Sequence, residues 1–219
     1  MSNEPKLPSE VEFASFLVYN PRPAAFPSEV SAQSRKVRNA IKNETAQWAA
    51  KHRLGERMRS ELGEDIRRKF LPENATLVPM PGHAPLKDPK SHWAPRELCE
   101  AFVGAGLGAR WLPVLERVHA VPQASRSAAK DRPNAKTHYE SIRATADLVA
   151  GSVITVVDDV VTSGAMMLAA IARLREVFPQ ATVLGFALLR TMSSEPILRV
   201  KEPCVGTIKL VSWGAQRQP

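Results

Sequence analysis

One run constrains this chain more than any other: Val153-Ile154-Thr155-Val156-Val157-Asp158-Asp159-Val160-Val161-Thr162-Ser163-Gly164-Ala165, followed by the apolar Met166-Met167-Leu168-Ala169-Ala170-Ile171. β-Branched residues without polar alternation suit a strand buried on both faces, as in a parallel sheet covered by helices. Such a strand tolerates two adjacent carboxylates only at its open end. The sequence therefore predicts a strand over 152–157 with the acids at its carboxyl edge, a short turn over 160–165, and a helix over 163–178. The turn carries two hydroxyls and a glycine and ends where the helix begins, so backbone N–H groups and a helix dipole converge there on an anion. Two acceptors for sugar hydroxyls or a hydrated metal lie a few residues away. The combination has the form of a grip for ribose 5-phosphate.

Other readings of the run compete with that one. A strand ending in Asp-Asp also occurs as a Walker B strand, in the acidic cluster of a receiver domain, or above a turn that binds nothing. Walker B needs a Gly-x-x-x-x-Gly-Lys-Ser/Thr partner. Its nearest approach, 104–108, is followed by Ala109-Arg110 and lacks both the lysine and the hydroxyl.

Elsewhere the pattern alternates strand and helix. Residues 28–70 are apolar near helical spacing, interrupted at Gly55 and Gly63. A strand is predicted over 75–80, its crossover helix over 93–107, and a second strand over 111–117. Residues 118–140 have no apolar periodicity and read as a long loop of the functional kind. A further buried strand falls on 181–189. Strand, helix, strand in alternation implies an α/β fold with a central parallel sheet flanked by helices, whose ligands gather at the carboxyl ends of the strands. The proline-rich 1–27, with an apolar piece at 13–19 that reads as a strand or a lid, and the segment 191–219 are assigned to a small hood. The core is assigned to 28–190.

The chain has 219 residues, 44% of them hydrophobic, which is enough for one sizeable core. No apolar run is long enough to span a bilayer, and no secretory signal is apparent, so a cytoplasmic protein without a membrane partner is expected. Cys99 and Cys204 are far apart and read as reduced thiols. The net charge of +8 is concentrated: residues 31–70 hold eleven Lys/Arg against five Asp/Glu, and 117–143 are again basic. Such fields attract polyanions, including nucleic acid and a pyrophosphorylated sugar. The first block has few aromatics for base stacking beyond Trp48 and Phe70, so helices that flank the sheet and pair two subunits as a homodimer are favoured over nucleic-acid binding.

Hydrophobic strand, Asp-Asp, two apolar residues, Thr-Ser-Gly and a helix together resemble the 5-phosphoribosyl 1-pyrophosphate (PRPP) signature of the type I phosphoribosyltransferases, matched without a gap over 156–165. The resemblance implies that Asp158 and Asp159 bind the ribose 2- and 3-hydroxyls and hold Mg through water. It also implies that Val160, Val161, Thr162, Ser163, Gly164 and Ala165 wrap the 5-phosphate. The segment Leu77-Val78-Pro79-Met80-Pro81-Gly82-His83 is similar to the pyrophosphate loop of those enzymes, with Met80, Pro81 and Gly82 as its candidates; a Pro-Gly strand end suits unusual backbone geometry with outward N–H groups. Arg117, Pro122-Gln123 and Arg132-Pro133-Asn134, with the basic helix carrying Arg35, Arg38, Ile41 and Lys42, resemble the ComF-like phosphoribosyltransferases over roughly 17–190. The cysteine-rich zinc module often found at that family's N-terminus has no counterpart here.

What the resemblance implies is a Mg-dependent transferase that moves 5-phosphoribosyl from PRPP to an unidentified nitrogen acceptor and releases pyrophosphate. Bond breaking runs ahead of attack in that chemistry, so cations aimed at the leaving group lower the barrier. Lys130 and Arg132 are the catalytic candidates for that task, with Arg126 and Arg117 as further candidates. Purine salvage is disfavoured, because Thr162 stands where that branch carries an aspartate. His83, His92, His119 and His138 are alternative proton acceptors, and Trp93, Trp111 and Trp213 could stack a base. The competing function is a non-catalytic PRPP-binding protein or a competence and DNA-uptake accessory protein.

Overall fold

The computed structural model describes residues 7–21, 27–42, 48–86, 88, 91–122, 133–146, 151–212 and 214–219. Strands are β1 (Glu10–Tyr19), β2 (Thr76–Pro79), β3 (Arg110–Trp111), β4 (Leu115–Arg117), β5 (Ile142–Ala144), β6 (Val153–Val161), β7 (Thr182–Thr191), β8 (Lys201–Val211) and β9 (Gly214–Gln218). Helices among the described residues are α1 (Glu29–Lys42), α2 (Trp48–Glu61), α3 (Glu64–Phe70), α4 (Ala94–Gly104), α5 (Ala135–Ser141) and α6 (Ala165–Val177).

Seven strands form one sheet in the order β3-β2-β6-β7-β1-β8-β9. The first five are mutually parallel, and β8 and β9 continue the sheet antiparallel to their neighbours. Two apolar layers cover it. On one face Met167, Leu168 and Ile171 of α6 pack on Ile154, Val156 and Val183. On the other, Phe70, Leu98 and Phe102 pack on Val157 and Phe186, with the Phe102 and Phe186 rings edge to face at 5.8 Å. The α/β architecture with a mostly parallel sheet is as expected from the alternation in the sequence.

The long loop expected over 118–140 ends in helix α5 from Ala135, and other segments also differ from the sequence reading. The segment assigned to an N-terminal hood contains β1, an interior strand between β7 and β8 with Phe13, Ala14, Phe16 and Val18 buried; sites buried on both faces demand a central strand rather than a lid. The C-terminal segment likewise joins the sheet, as β8 and β9. The strand expected over 111–117 is broken after Trp111: β4 leaves the main sheet and pairs with β5 in a separate two-stranded ribbon. Pro113 in the break lacks the N–H that a continuous ladder would need.

Connection directions create a crevice. From β2 the chain passes through α4 to β3 on one side, whereas from β6 it passes through α6 to β7 on the other. The gap between the carboxyl ends of β2 and β6 is therefore the topological switch point of the sheet, where ligands collect in open α/β folds. It is deepened by unequal lengths. β2 stops at Pro79, opposite Val157, while β6 runs on beside β7 to Val161, opposite Arg190.

Candidate functional site

Asp158 and Asp159 lie inside β6, and Val160 and Val161 extend the same ladder, paired with Leu189 and Arg190. The predicted six-residue turn is thus only Thr162, Ser163 and Gly164, and Ala165 is already the first residue of α6. The reason is side-chain character: Val161 is buried in the core on the α6 face, and Val160 packs partly buried on the opposite one. Past the end of β2, the β2 side of Asp158 and its successors borders the crevice.

The acids are asymmetric. Asp159 is 7% exposed, and its Oδ2 lies 2.8 Å from the Lys42 ammonium at the end of α1. The Asp159 backbone N–H donates to Asp158 Oδ1 at 2.9 Å. Burial pushes the Asp158 carboxyl well above the usual carboxylate range, and repulsion from Asp159 adds to this while Lys42 opposes it. One acid is therefore ion-paired, and the other is biased towards its protonated form.

The turn has a fixed shape. Gly164 adopts φ +88°, and a Cβ there would lie 2.6 Å from the Ile208 side chain of β8. Both conditions require glycine. Thr162 and Ser163 are exposed, and among the described residues the N–H groups of Ser163 and Gly164 donate to no protein acceptor. These amides, at the N-cap of a thirteen-residue helix and the residue before it, leave unspent donors of the kind that suit an anion.

Across the crevice, the loop after β2 is held from three sides. Met80 N–H donates to Val157 O at 2.9 Å, and Trp93 Nε1–H donates to Met80 O at 2.8 Å. Arg117 Nε–H donates to Gly82 O at 2.8 Å. Gly82 is not among the glycines with positive φ, and the nearest atom to a Cβ there would be Ala84 O at 3.6 Å, so the loop does not depend on glycine at this position. The external hydrogen bonds, not the glycine, shape this loop.

Arg117 is 4% exposed, donates also to Ser141 Oγ at 2.5 Å and to Met166 Sδ at 3.4 Å, and has no carboxylate partner among the described residues. Burial lowers its pKa to about 10, so it stays charged at neutral pH. Its neighbour His138 is brought to about 4, first by burial and then by the Arg117 charge. His138 is thus neutral at physiological pH, which makes it a poor proton acceptor for chemistry in the crevice. His92 pairs with Glu97 at 2.7 Å, while His83 and His119 are exposed. Trp93 donates its indole N–H to Met80 O, and the Arg96 guanidinium stands 6.0 Å from its ring centroid.

Arg126, Lys130, Arg132, Gln123 and Trp213 lie outside the described residues. Two side chains reach the site that the sequence reading does not assign to it. Lys42 was visible only as one charge in a basic helix, and Arg217 on β9, whose Nε–H donates to Thr162 O at 3.0 Å, sits in a segment without a motif.

The implied magnesium is compatible with the donor set. Two carboxylates converge at the crevice, and the Lys42 ammonium already stands on Asp159 as a cation would. Among the described residues no cluster of three or more His, Cys, Asp or Glu completes a cage. Such a site suits an ion held through water and finished by a ligand's own oxygens, the habit of magnesium. The described residues also contain no helix long and apolar enough to cross a membrane. No protein-family model and no curated protein matches this chain.

Proposed function

We propose that the protein is a type I phosphoribosyltransferase that takes Mg-bound PRPP in the β2–β6 crevice and moves 5-phosphoribosyl to a nitrogen nucleophile, releasing pyrophosphate. One observation carries the reading. The run that carries the acid pair and the Thr162 to Gly164 turn with unspent amides borders the same topological switch point as the loop of Met80 to His83, about 75 residues earlier in the chain.

Each part has a task in this reading. Ser163 and Gly164 N–H groups, with the α6 dipole, bind the 5-phosphate. Asp158 and Asp159 accept from the ribose hydroxyls and would hold magnesium, which when bound neutralises charge developing on pyrophosphate. The burial and the Asp159 repulsion that raise the Asp158 pKa would be opposed by magnesium beside the pair, and its charged form so favoured. Lys42 exchanges its partner Asp159 for the incoming polyanion and leaves the carboxylate to the sugar. The loop after β2 receives the leaving pyrophosphate through backbone N–H groups, with the buried charge of Arg117 behind it. Thr162 contributes a hydroxyl and no base, so the proton that the nitrogen nucleophile sheds on forming its bond goes to water, to the departing pyrophosphate or to another group.

Calorimetric titration of the full chain with PRPP and Mg tests the reading, followed by a screen of nitrogen bases for pyrophosphate release. Saturable Mg-dependent PRPP binding is expected. Its absence would overturn the assignment, and binding without release of pyrophosphate to any acceptor would favour a PRPP-binding protein without catalysis.

A further inference from the structure

The last strand of the sheet reaches back to the turn. The sheet curls so that Ile208 of β8 packs against Gly164, while Arg217 of β9 lies against Thr162. Arg217 makes three contacts: its Nε–H donates to Thr162 O at 3.0 Å, a terminal N–H donates to Thr191 O at the end of β7, and its guanidinium stands 5.9 Å from the Phe13 ring centroid. None of these partners is anionic. Nearby Arg190, by contrast, is paired with the Glu202 carboxylate. Arg217 thus brings a positive charge to the turn that no described carboxylate neutralises.

The carbonyl contact also sets direction. In a trans peptide the C=O and the following N–H point oppositely. Holding Thr162 O against β9 therefore turns the Ser163 N–H away from β9, and that N–H has no acceptor among the described residues. Arg117 makes the same contact with Gly82 O on the far side of the crevice, again without a carboxylate partner. An arginine that merely stapled strands together would gain from a carboxylate; two arginines that each grip one carbonyl of an anion loop and stay unpaired fit a different task.

We infer that Arg217 is a positioning residue of the anion turn: it fixes the 162–163 peptide so that the Ser163 amide faces an incoming phosphate, and it supplies positive charge from behind. The inference rests on the reading of Thr162 to Gly164 as a phosphate cradle. It assigns a role to the C-terminal strand, which the signature in β6 does not include. Burial, with Arg190 second, lowers the pKa of Arg217, as an unneutralised cation in such a place requires.

The test uses the full-length chain with inorganic phosphate as probe and the amide NMR shifts of Ser163 and Gly164 as readout. Phosphate should move both signals in the wild type, Arg217→Gln should need about tenfold more phosphate or greater, and Arg217→Lys should fall between. Thermal midpoints of the three proteins separate folding from binding, and the lysine variant carries the test if the glutamine variant does not fold. Equal phosphate affinity in all three, or no turn shift in the wild type, overturns the inference. A second titration with ribose 5-phosphate, read at the Asp158 and Asp159 amides, tests the sugar-transfer reading separately. Phosphate binding that depends on Arg217 with no response at the acids would sink that reading and leave the role of Arg217 standing.

Discussion

The two walls of the crevice use the same short elements and stabilise them by different means. On the β2 side, Pro81-Gly82 is a loop whose glycine has no positive φ and room for a Cβ at ordinary contact distance, shaped by Trp93 and Arg117 from outside. On the β6 side, Ser163-Gly164 is a turn whose glycine is required twice over, by φ +88° and by Ile208 at 2.6 Å. A glycine in a loop therefore carries no fixed meaning. Its weight depends on whether a distant strand has come to rest against it.

The sharpest way to break this contrast is to put alanine in both places. Gly164→Ala should lose about 1–2 kcal/mol from the left-handed backbone and about 1–3 kcal/mol more from overpacking against Ile208. Gly82→Ala should change stability by less than about 0.5 kcal/mol. Urea unfolding of the two variants decides it, and equal losses would mean that the walls are alike.

The acid pair belongs to the β6 wall and should dominate ligand binding there. Asp158→Asn with Asp159→Asn is expected to weaken Mg-PRPP binding by about 1–3 kcal/mol, the cost of losing charged acceptors. Calorimetry measures this directly, and an unchanged affinity would move the sugar away from β6.

A titration should belong to the β2 wall instead. His138, beside Arg117, is held near pKa 4 when folded, against about 6.5 when unfolded. The unfolded chain therefore takes up a proton that the folded one refuses, and stability falls as pH drops from about 6.5 towards 4, by up to about 2 kcal/mol at pH 5. Comparing unfolding free energies at pH 7 and pH 5 should show that loss in the wild type and much less of it in His138→Gln.

The smallest effect expected is a gain. The folded pKa of Asp158 lies above its unfolded value, so the folded protein keeps a proton that the unfolded chain releases above about pH 4, and this group's contribution declines as pH rises through that window. Asp158→Asn removes the burden and should raise Tm at neutral pH, read by thermal unfolding beside the wild type. A fall in Tm would show that the carboxylate is a structural asset.

What the sequence made legible follows the range of the forces involved. The parallel-sheet character of 153–157 and the helix after Gly164 are local, written in β-branched and apolar runs, and the acids and the hydroxyl turn are contiguous with them. The end of β6 was misjudged because Val160 and Val161 suit a strand and a turn-flanking pair equally, and only β7 beside them decides. β1 was underrated because its burial comes from β7 and β8, which lie more than 160 residues away in sequence. Lys42 and Arg217 reach the site across the fold, and no spacing rule connects either to Asp159 or Thr162.

The place of β1 has a consequence for how the molecule is made. Phe13 of β1 pairs with Gly185 of β7 and with Gly206 of β8. Once made, β1 must wait for about 170 more residues before its parallel neighbour exists, which at about 5–20 residues per second is on the order of ten seconds or longer. Through that interval a strand made for burial on both faces has no sheet to enter. Closing so long a loop is slow in any chain. The molecule therefore gains its central strand late and nearly all at once, and a nascent chain stopped before 182 would display Phe13, Phe16 and Val18 to whatever holdase is at hand.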